Sequence, residues 1–232
     1  MKNERTLDLE LLDLGPEHYT QTEYEECLTQ LARIGRYLGG DKASLKTLKT
    51  LEPPHSILDV GCGGGHFTMA LGGHFSEAQI LGVDISTQAI AFANSTLAQT
   101  ALKNVKFEVS VTPELSFLPD SFDVVISTLV CHHLSDVSLI EFMRRAYQVA
   151  KKYVIINDLH RHPLAYRGFD LISSLFFRNR LIRHDGLLSI KRSFIKQEWI
   201  DYLTAAQIPL RKCSIRWHWP FRWILCIESS AK

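Results

Sequence analysis

The chain has 232 residues, 46 % hydrophobic and 22 % charged, with a formal net charge of +1. That length and apolar content suit one α/β domain with a sizeable core, with or without a modest lid. The near-neutral balance excludes strong electrostatic steering by the chain as a whole.

Charge is unevenly spread. Residues 1–30 carry eight acidic side chains against two basic ones, and residues 161–222 carry twelve basic against four acidic. The basic excess fits either a solvated face or an anionic partner, such as an acidic carrier or a membrane surface touched peripherally. The five cysteines, Cys27, Cys62, Cys131, Cys213 and Cys226, form no CxxC pair. An odd set of this kind argues against a disulfide framework and against a zinc–cysteine site. It points to buried thiols in a reducing compartment, so a cytoplasmic location is expected. The N-terminus is charged too early for a secretory signal. No uncharged apolar run approaches the roughly 18 residues that a membrane span requires.

In chain order, Thr22 and Glu25 have the spacing of a capping box. Leu28, Leu31, Ala32, Gly35 and Leu38 follow at helical spacing, and the Gly39-Gly40 pair ends that helix. A second short helix is expected over 42–51, stopped by Pro53-Pro54. Residues 57–60 then form an apolar run that leads into glycines, as a buried parallel strand does. The following stretches alternate: helix 66–72, strand 79–83 ending at Asp84, helix 86–98, strand 105–109, strand 122–127, helix 139–149 and strand 153–157. Strands and helices in this rhythm predict an α/β fold with a doubly wound, mostly parallel sheet. Residues 160–205 break the alternation. Phe169, Ile172, Leu175 and Phe176 share one helical face there, and Trp199, Ile200 and Leu203 belong to a later helix. Two strands around Pro220, over 213–219 and 221–228, close the chain as a hairpin. The expected division is a helical cap (1–52), a ligand-binding core (53–159), a helical lid inserted after strand five (160–205) and the hairpin (206–232).

The stretch ILDVGCGGG at 57–65 carries the most information. Ligands of open α/β sheets sit at the carboxyl ends of the strands. Glycines there let the backbone approach a ligand closely, and the helix that starts after them offers amide donors. A dinucleotide loop, G-x-G-x-x-G, matches at Gly61 and Gly63, but its third position is His66. The observed order is D-x-G-x-G-x-G, from Asp59 through Gly61 and Gly63 to Gly65. Asp84, in LGVDIS, stands where an acidic residue hydrogen-bonds ribose hydroxyls in either class.

Taken together, ILDVGCGGG, LGVDIS and SFDVVISTLVCHHL resemble the class I S-adenosylmethionine-dependent methyltransferases over residues 55–158. The resemblance implies a Rossmann-like, seven-stranded domain with S-adenosylmethionine across the first strand ends and S-adenosylhomocysteine as product. By position, it sets Asp59, Gly61, Gly63 and Gly65 against the methionine half of the cofactor. It assigns Asp84 to the ribose hydroxyls and Ile85 to the adenine. Thr128 or Leu129, just past strand four, falls near the amino-acid part. Val111 stands where the family's small-molecule branch commonly has an acidic residue for the adenine amine, so backbone groups at Val111 and Thr112 would take that contact.

Enzymes that methylate amines of nucleic acids and glutamine carry an N/D-P-P-Y/F tetrapeptide after strand four. Here that position reads STLVCHHL, so no nucleic-acid partner is expected. The CHHL stretch resembles instead the quinone-biosynthesis C-methyltransferases, and residues 157–194 resemble insertions of polyketide-associated methyltransferases. The expected acceptor is a small aromatic, quinone-like or polyketide-derived molecule, apolar or carrier-bound, with O-methylation slightly ahead of C-methylation. A nicotinamide-dependent oxidoreductase and a non-catalytic cofactor-binding protein are the rival readings.

An acceptor hydroxyl must lose a proton, and histidine is the natural base near neutrality. His132, His133 and His160 are the candidates, each against the plain alternative of a structural histidine. Asp158 either orients a histidine or caps the next turn, and capping is the simpler reading. His160-Arg161-His162 lacks a third patterned ligand, so no metal site is expected. Tyr19 and His18 either close over the cofactor or form a loose lead-in.

Overall fold

The computed structural model describes residues 5–110 and 115–229. Fifteen main elements follow in order. They are α1 (Gln21–Tyr37), α2 (Gly40–Leu48), β1 (Ser56–Val60), α3 (His66–His74), β2 (Gln79–Asp84), α4 (Thr87–Leu97), β3 (Val105–Val109), β4 (Phe122–Thr128), α5 (Asp136–Val149), β5 (Ala150–Leu159), α6 (Pro163–Phe176), α7 (Arg180–Arg192), α8 (Lys196–Ala205), β6 (Cys213–His218) and β7 (Arg222–Glu228). Val111 and Thr112 lie outside the described residues.

The seven strands form one sheet in the order β3-β2-β1-β4-β5-β7-β6. The first five run parallel, and β7 lies antiparallel between β5 and β6. The expected Rossmann-like, mostly parallel sheet is therefore present, with helices ahead of it and a helical insertion after β5. Strand order reverses between β1 and β4, and that crevice is where ligands bind in open α/β sheets.

Alternation along the central strands explains why the sheet is buried on both faces. Leu58, Val125, Val154 and Ile156 pack on one side against α5, α8 and Phe194. Ile57, Val124, Ile126 and Ile155 pack on the other against α3 and α4. Trp199 is fully buried in the first layer, 4.1 Å from the Phe194 ring centre.

Several boundaries differ from expectation for physical reasons. The capping box is formed by Thr20 and Glu23, not Thr22 and Glu25. The Thr20 hydroxyl accepts from the Glu23 amide, and the Glu23 carboxylate accepts from the Thr20 amide at 2.9 Å. Glu25 is instead bonded by the Gln21 side chain at 2.7 Å. The second helix starts at Gly40 because Gly39 takes a left-handed turn there, φ 76°. Helix α5 begins three residues early because Ser135 caps it.

Most of the apolar face of α6 is turned to solvent. Ile172, Leu175 and Phe176 are exposed, and only Phe169 turns inward, packing with Cys27, Leu181 and Ile182. The local basic excess is also partly used inside the chain. Arg161 pairs with Glu198, Arg180 with Glu23 and Arg192 with Asp13, and Arg222 is buried against Asn157.

The glycine loop divides into two tasks. A Cβ on Gly65 would fall 2.4 Å from Phe107 Cζ and 2.9 Å from Ala93 Cβ, with φ at +75°. Gly65 thus performs the helix-on-strand packing that the dinucleotide pattern assigns to its third glycine, so His66 at that position costs nothing. Gly65→Ala should destabilise the fold by about 2 kcal/mol or more, through overpacking and a strained turn. Gly73→Ala, with open space around it, should change stability by less than about 1 kcal/mol. Urea denaturation of both variants checks this, and equal midpoints would contradict the packing role.

Candidate functional site

The site is built where β1, β2 and β4 end. After Val60 the chain turns through Gly61, whose amide bonds the Val83 carbonyl at 2.8 Å. Gly63 has φ +51°, and the nearest atom to a Cβ placed there is Leu28 Cδ2 at 3.9 Å. The loop is thus open in front of Gly63 and closed behind Gly65. At the end of β2, the Asp84 carboxylate accepts from the Gly63 amide at 2.8 Å and from the Ser86 amide at 2.9 Å. Each oxygen keeps a second lone pair. Ser86 also caps α4, and its hydroxyl meets the Tyr24 hydroxyl at 2.9 Å. Ile85 is 66 % exposed beside this carboxylate.

Asp59 sits differently from the expectation that sets it against a ligand. Its carboxyl is buried and accepts from the Thr68 hydroxyl at 2.6 Å, tying β1 to α3 beneath the loop. Burial raises its pKa to about 7, against the opposing pull of the Thr68 bond. At the end of β4, the buried Thr128 hydroxyl has no partner among the described residues. Leu129 follows at φ +59°, a strained turn of the kind found at functional sites.

One turn farther on, the three histidines separate. His132 and His133 lie together, ring centres 4.3 Å apart, while His160 sits in an aromatic cluster with Phe221 and Trp223. Trp217 Nε1–H donates to His160 Nδ1 at 3.1 Å. Burial, with the neighbouring His162 and Arg161, lowers the His160 pKa to about 4. Its Nδ1 is thus already engaged, and it lies apart from the His132–His133 pair.

Asp158 does orient a histidine, contrary to the simpler capping reading. It meets His132 Nδ1 at 2.7 Å and accepts from the His132 amide at 3.2 Å. Asp13 does the same for His133 Nδ1, at 2.8 Å. Burial alone would raise both carboxyls. The facing histidines overcome it, with Arg192 adding to the effect at Asp13, which falls to about 2. Each carboxylate therefore faces an Nδ1, and each Nε2 is left pointing away from it.

Both Nε2 atoms face Glu10, at 3.8 and 3.9 Å. Glu10 is buried and accepts from the Ser189 hydroxyl at 2.9 Å. Burial pushes its pKa up to about 7, opposed by His133 and that hydroxyl. Sequence reading missed Glu10 and Asp13, because their partners lie more than a hundred residues away. The N-terminal segment that carries them is stitched down rather than loose. The Leu11 and Leu12 amides donate to Asp185, and Arg5 donates to the His132 and Leu134 carbonyls. Tyr19 stacks on Tyr24, and the His18 carbonyl accepts from Arg180.

Solved structures share this architecture. An S-adenosylmethionine-dependent methyltransferase from Aquifex aeolicus superposes with a TM-score of 0.65 at 17 % identity, covering 88 % of this chain and 97 % of that one. The fold is that of the S-adenosylmethionine-dependent methyltransferases. Human N-acetylserotonin methyltransferase, solved in complex with that cofactor, superposes on 91 % of this chain and 57 % of its own, with a TM-score of 0.66 at 13 % identity. Residues 57–153 match the family described as methyltransferase domain. The methyltransferase YcgJ of Bacillus subtilis is 34 % identical over 92 residues, 39 % of this chain and 36 % of its own length. The ubiquinone biosynthesis O-methyltransferase of Azorhizobium caulinodans is 34 % identical over 128 residues, 54 % of this chain and 47 % of its own length. The chain thus spans less than half the length of these two curated relatives. Among the described residues, no helix is long and apolar enough to cross a membrane.

The raised Asp59 pKa has a measurable sign. The folded chain holds a proton that the unfolded chain releases between the ordinary aspartate value of 3.8 and about 7. The stability Asp59 contributes is therefore present at low pH and lost as pH rises through about 7. Denaturation at pH 5 and pH 8 should show a decline in the wild type that is smaller in Asp59→Asn. Glu10 acts alike in both proteins, so equal declines would contradict the assignment.

Proposed function

We propose that this chain transfers a methyl group from S-adenosylmethionine to the oxygen of a small aromatic or quinone-like acceptor. The observation that carries the reading is the pair formed by the open Gly63 turn and the Asp84 carboxylate 2.8 Å from its amide. The residues suit the cofactor. The Asp84 oxygens retain lone pairs for two ribose hydroxyls, and exposed Ile85 offers an apolar surface to adenine. Gly61 and Gly63 admit the ligand to the backbone, and the unpartnered Thr128 hydroxyl awaits a polar group. Val111 and Thr112 remain the proposed adenine contacts. Asp59 supports the loop from below.

When bound, the cofactor supplies a methyl group on a positively charged sulfur. The protein's part is alignment, exclusion of water and management of the acceptor's proton. For a methyl group to reach the acceptor oxygen, the acceptor O–H would give its proton to a basic side chain of this chain, freeing the oxygen lone pair for the methyl that the cofactor would supply. The proton-handling end is His132 and His133, a few residues beyond Thr128, with Glu10 of the N-terminal segment facing them.

Oxygen is favoured over carbon because the Azorhizobium relative, and a 30 % identical one from Nitrosospira multiformis, are ubiquinone biosynthesis O-methyltransferases. The apolar insertion suits an acceptor with an apolar body.

Incubation with labelled S-adenosylmethionine and a panel of phenols, catechols and quinols tests this. The expected result is label in an ether product of at least one acceptor. Asp84→Ala should weaken cofactor binding about tenfold or more, the cost of leaving hydroxyls unpaired. Label in no product, with the cofactor bound, would overturn the acceptor assignment. Unchanged affinity in Asp84→Ala would overturn the cofactor placement.

A further inference from the structure

The His132–His133–Glu10 cluster has a geometry that free bases do not need. Each histidine is pinned from behind by a carboxylate on Nδ1, Asp158 at 2.7 Å and Asp13 at 2.8 Å. Each then directs its Nε2 at one glutamate rather than outward. The 3.8 and 3.9 Å separations are too long for hydrogen bonds. The three ligand atoms lie within 4.8 Å of one another. Ligand atoms about 2.0–2.2 Å from a tetrahedral ion lie about 3.4 Å apart, so a small closure brings them onto one ion.

We propose that Glu10, His132 and His133 form a binding site for a divalent ion of the zinc class, with Asp158 and Asp13 as orienting carboxylates. Two histidines and one carboxylate are a known zinc ligand set that leaves a fourth position open. Carboxylates behind the ligating imidazoles fix their tautomer and strengthen them as donors. Access agrees. The side chains of His132 and Glu10 are 3 % exposed, but that of His133 is 29 % exposed, so the cluster opens on one side.

The H-x-H pair at His160 and His162 gains no third ligand among the described residues. The ligands that do converge come from the N-terminal segment and from the turn after β4. An ion with an open position polarises a hydroxyl. The site therefore deepens the proposed function by naming how an acceptor oxygen sheds its proton. That consequence rests on the methyl-transfer reading, whereas the ion site rests on the cluster alone.

The test is cobalt(II) titration of the full chain after dialysis against a chelator, read by visible absorption and calorimetry. The expected result is one cobalt per chain with the intense bands of a tetrahedral N/O site, displaced by one equivalent of zinc. Glu10→Gln and His133→Gln, the latter at the exposed edge, should each weaken binding at least tenfold while circular dichroism stays unchanged. S-adenosylhomocysteine binding, measured on the same samples, should persist in the metal-free protein, which separates failure of the ion site from failure of the cofactor reading. No stoichiometric binding by the folded chain would overturn the proposal and leave the cluster as a protonated His–Glu network. Binding that survives both substitutions, or that shows thiolate-to-cobalt bands, would overturn it too.

Discussion

The carboxylate of Asp84 holds the ends of two parallel strands in one geometry. It takes the Gly63 amide from the loop after β1 and the Ser86 amide from the turn into α4. A charged acceptor bonded by backbone amides is stronger and shorter than a neutral pair, and here it fixes both loops at the switch point. Behind it, Tyr24 of α1 reaches the Ser86 hydroxyl, so the N-terminal helix is registered on the same anchor. Beneath it, Asp59 and Thr68 clamp β1 to α3. The open side of Gly63 exists because every other side of the loop is filled by Phe107, Ala93, Leu28 and Val130.

A second anchor forms at the far side of β4. Residues from four distant segments meet there: Glu10 and Asp13 from the N-terminus, His132 and His133 after β4, Asp158 at the end of β5, and Ser189 and Arg192 on α7. Arg192 alone bonds the carbonyls of His132, His133 and Asp8. The N-terminal segment and α7 thus close over the histidine turn as one bonded unit. Among the described residues of the cluster, His133 is the more exposed histidine, with a 29 % exposed side chain.

The proposed cofactor end was legible in the sequence because its residues are local. The glycine loop, Asp84 and Thr128 each sit at a strand end, and strand ends follow from hydrophobic rhythm and glycine placement. His66, where a dinucleotide loop has its third glycine, counts against a nicotinamide cofactor, and Gly65 does the packing instead. The acceptor end was not legible, because its chemistry is made by tertiary contact. Nothing near Glu10 or Asp13 announces a histidine partner, and Asp158 looks like a turn cap until β4 is laid beside β5. His160 stood at the correct strand end but faces Trp217, and no periodicity reveals that orientation. The α6 face misled in the opposite direction. Its helical spacing is apolar, yet Ile172, Leu175 and Phe176 point outward.

The account's central claim is that the loop at Gly63 and Asp84 exists for S-adenosylmethionine. Parallel calorimetric titrations of the purified chain with S-adenosylmethionine, S-adenosylhomocysteine and NAD test it most directly. The account predicts saturable binding of the first two at one per chain, and none of NAD. Binding of NAD alone, or of none of the three by folded protein, would contradict it.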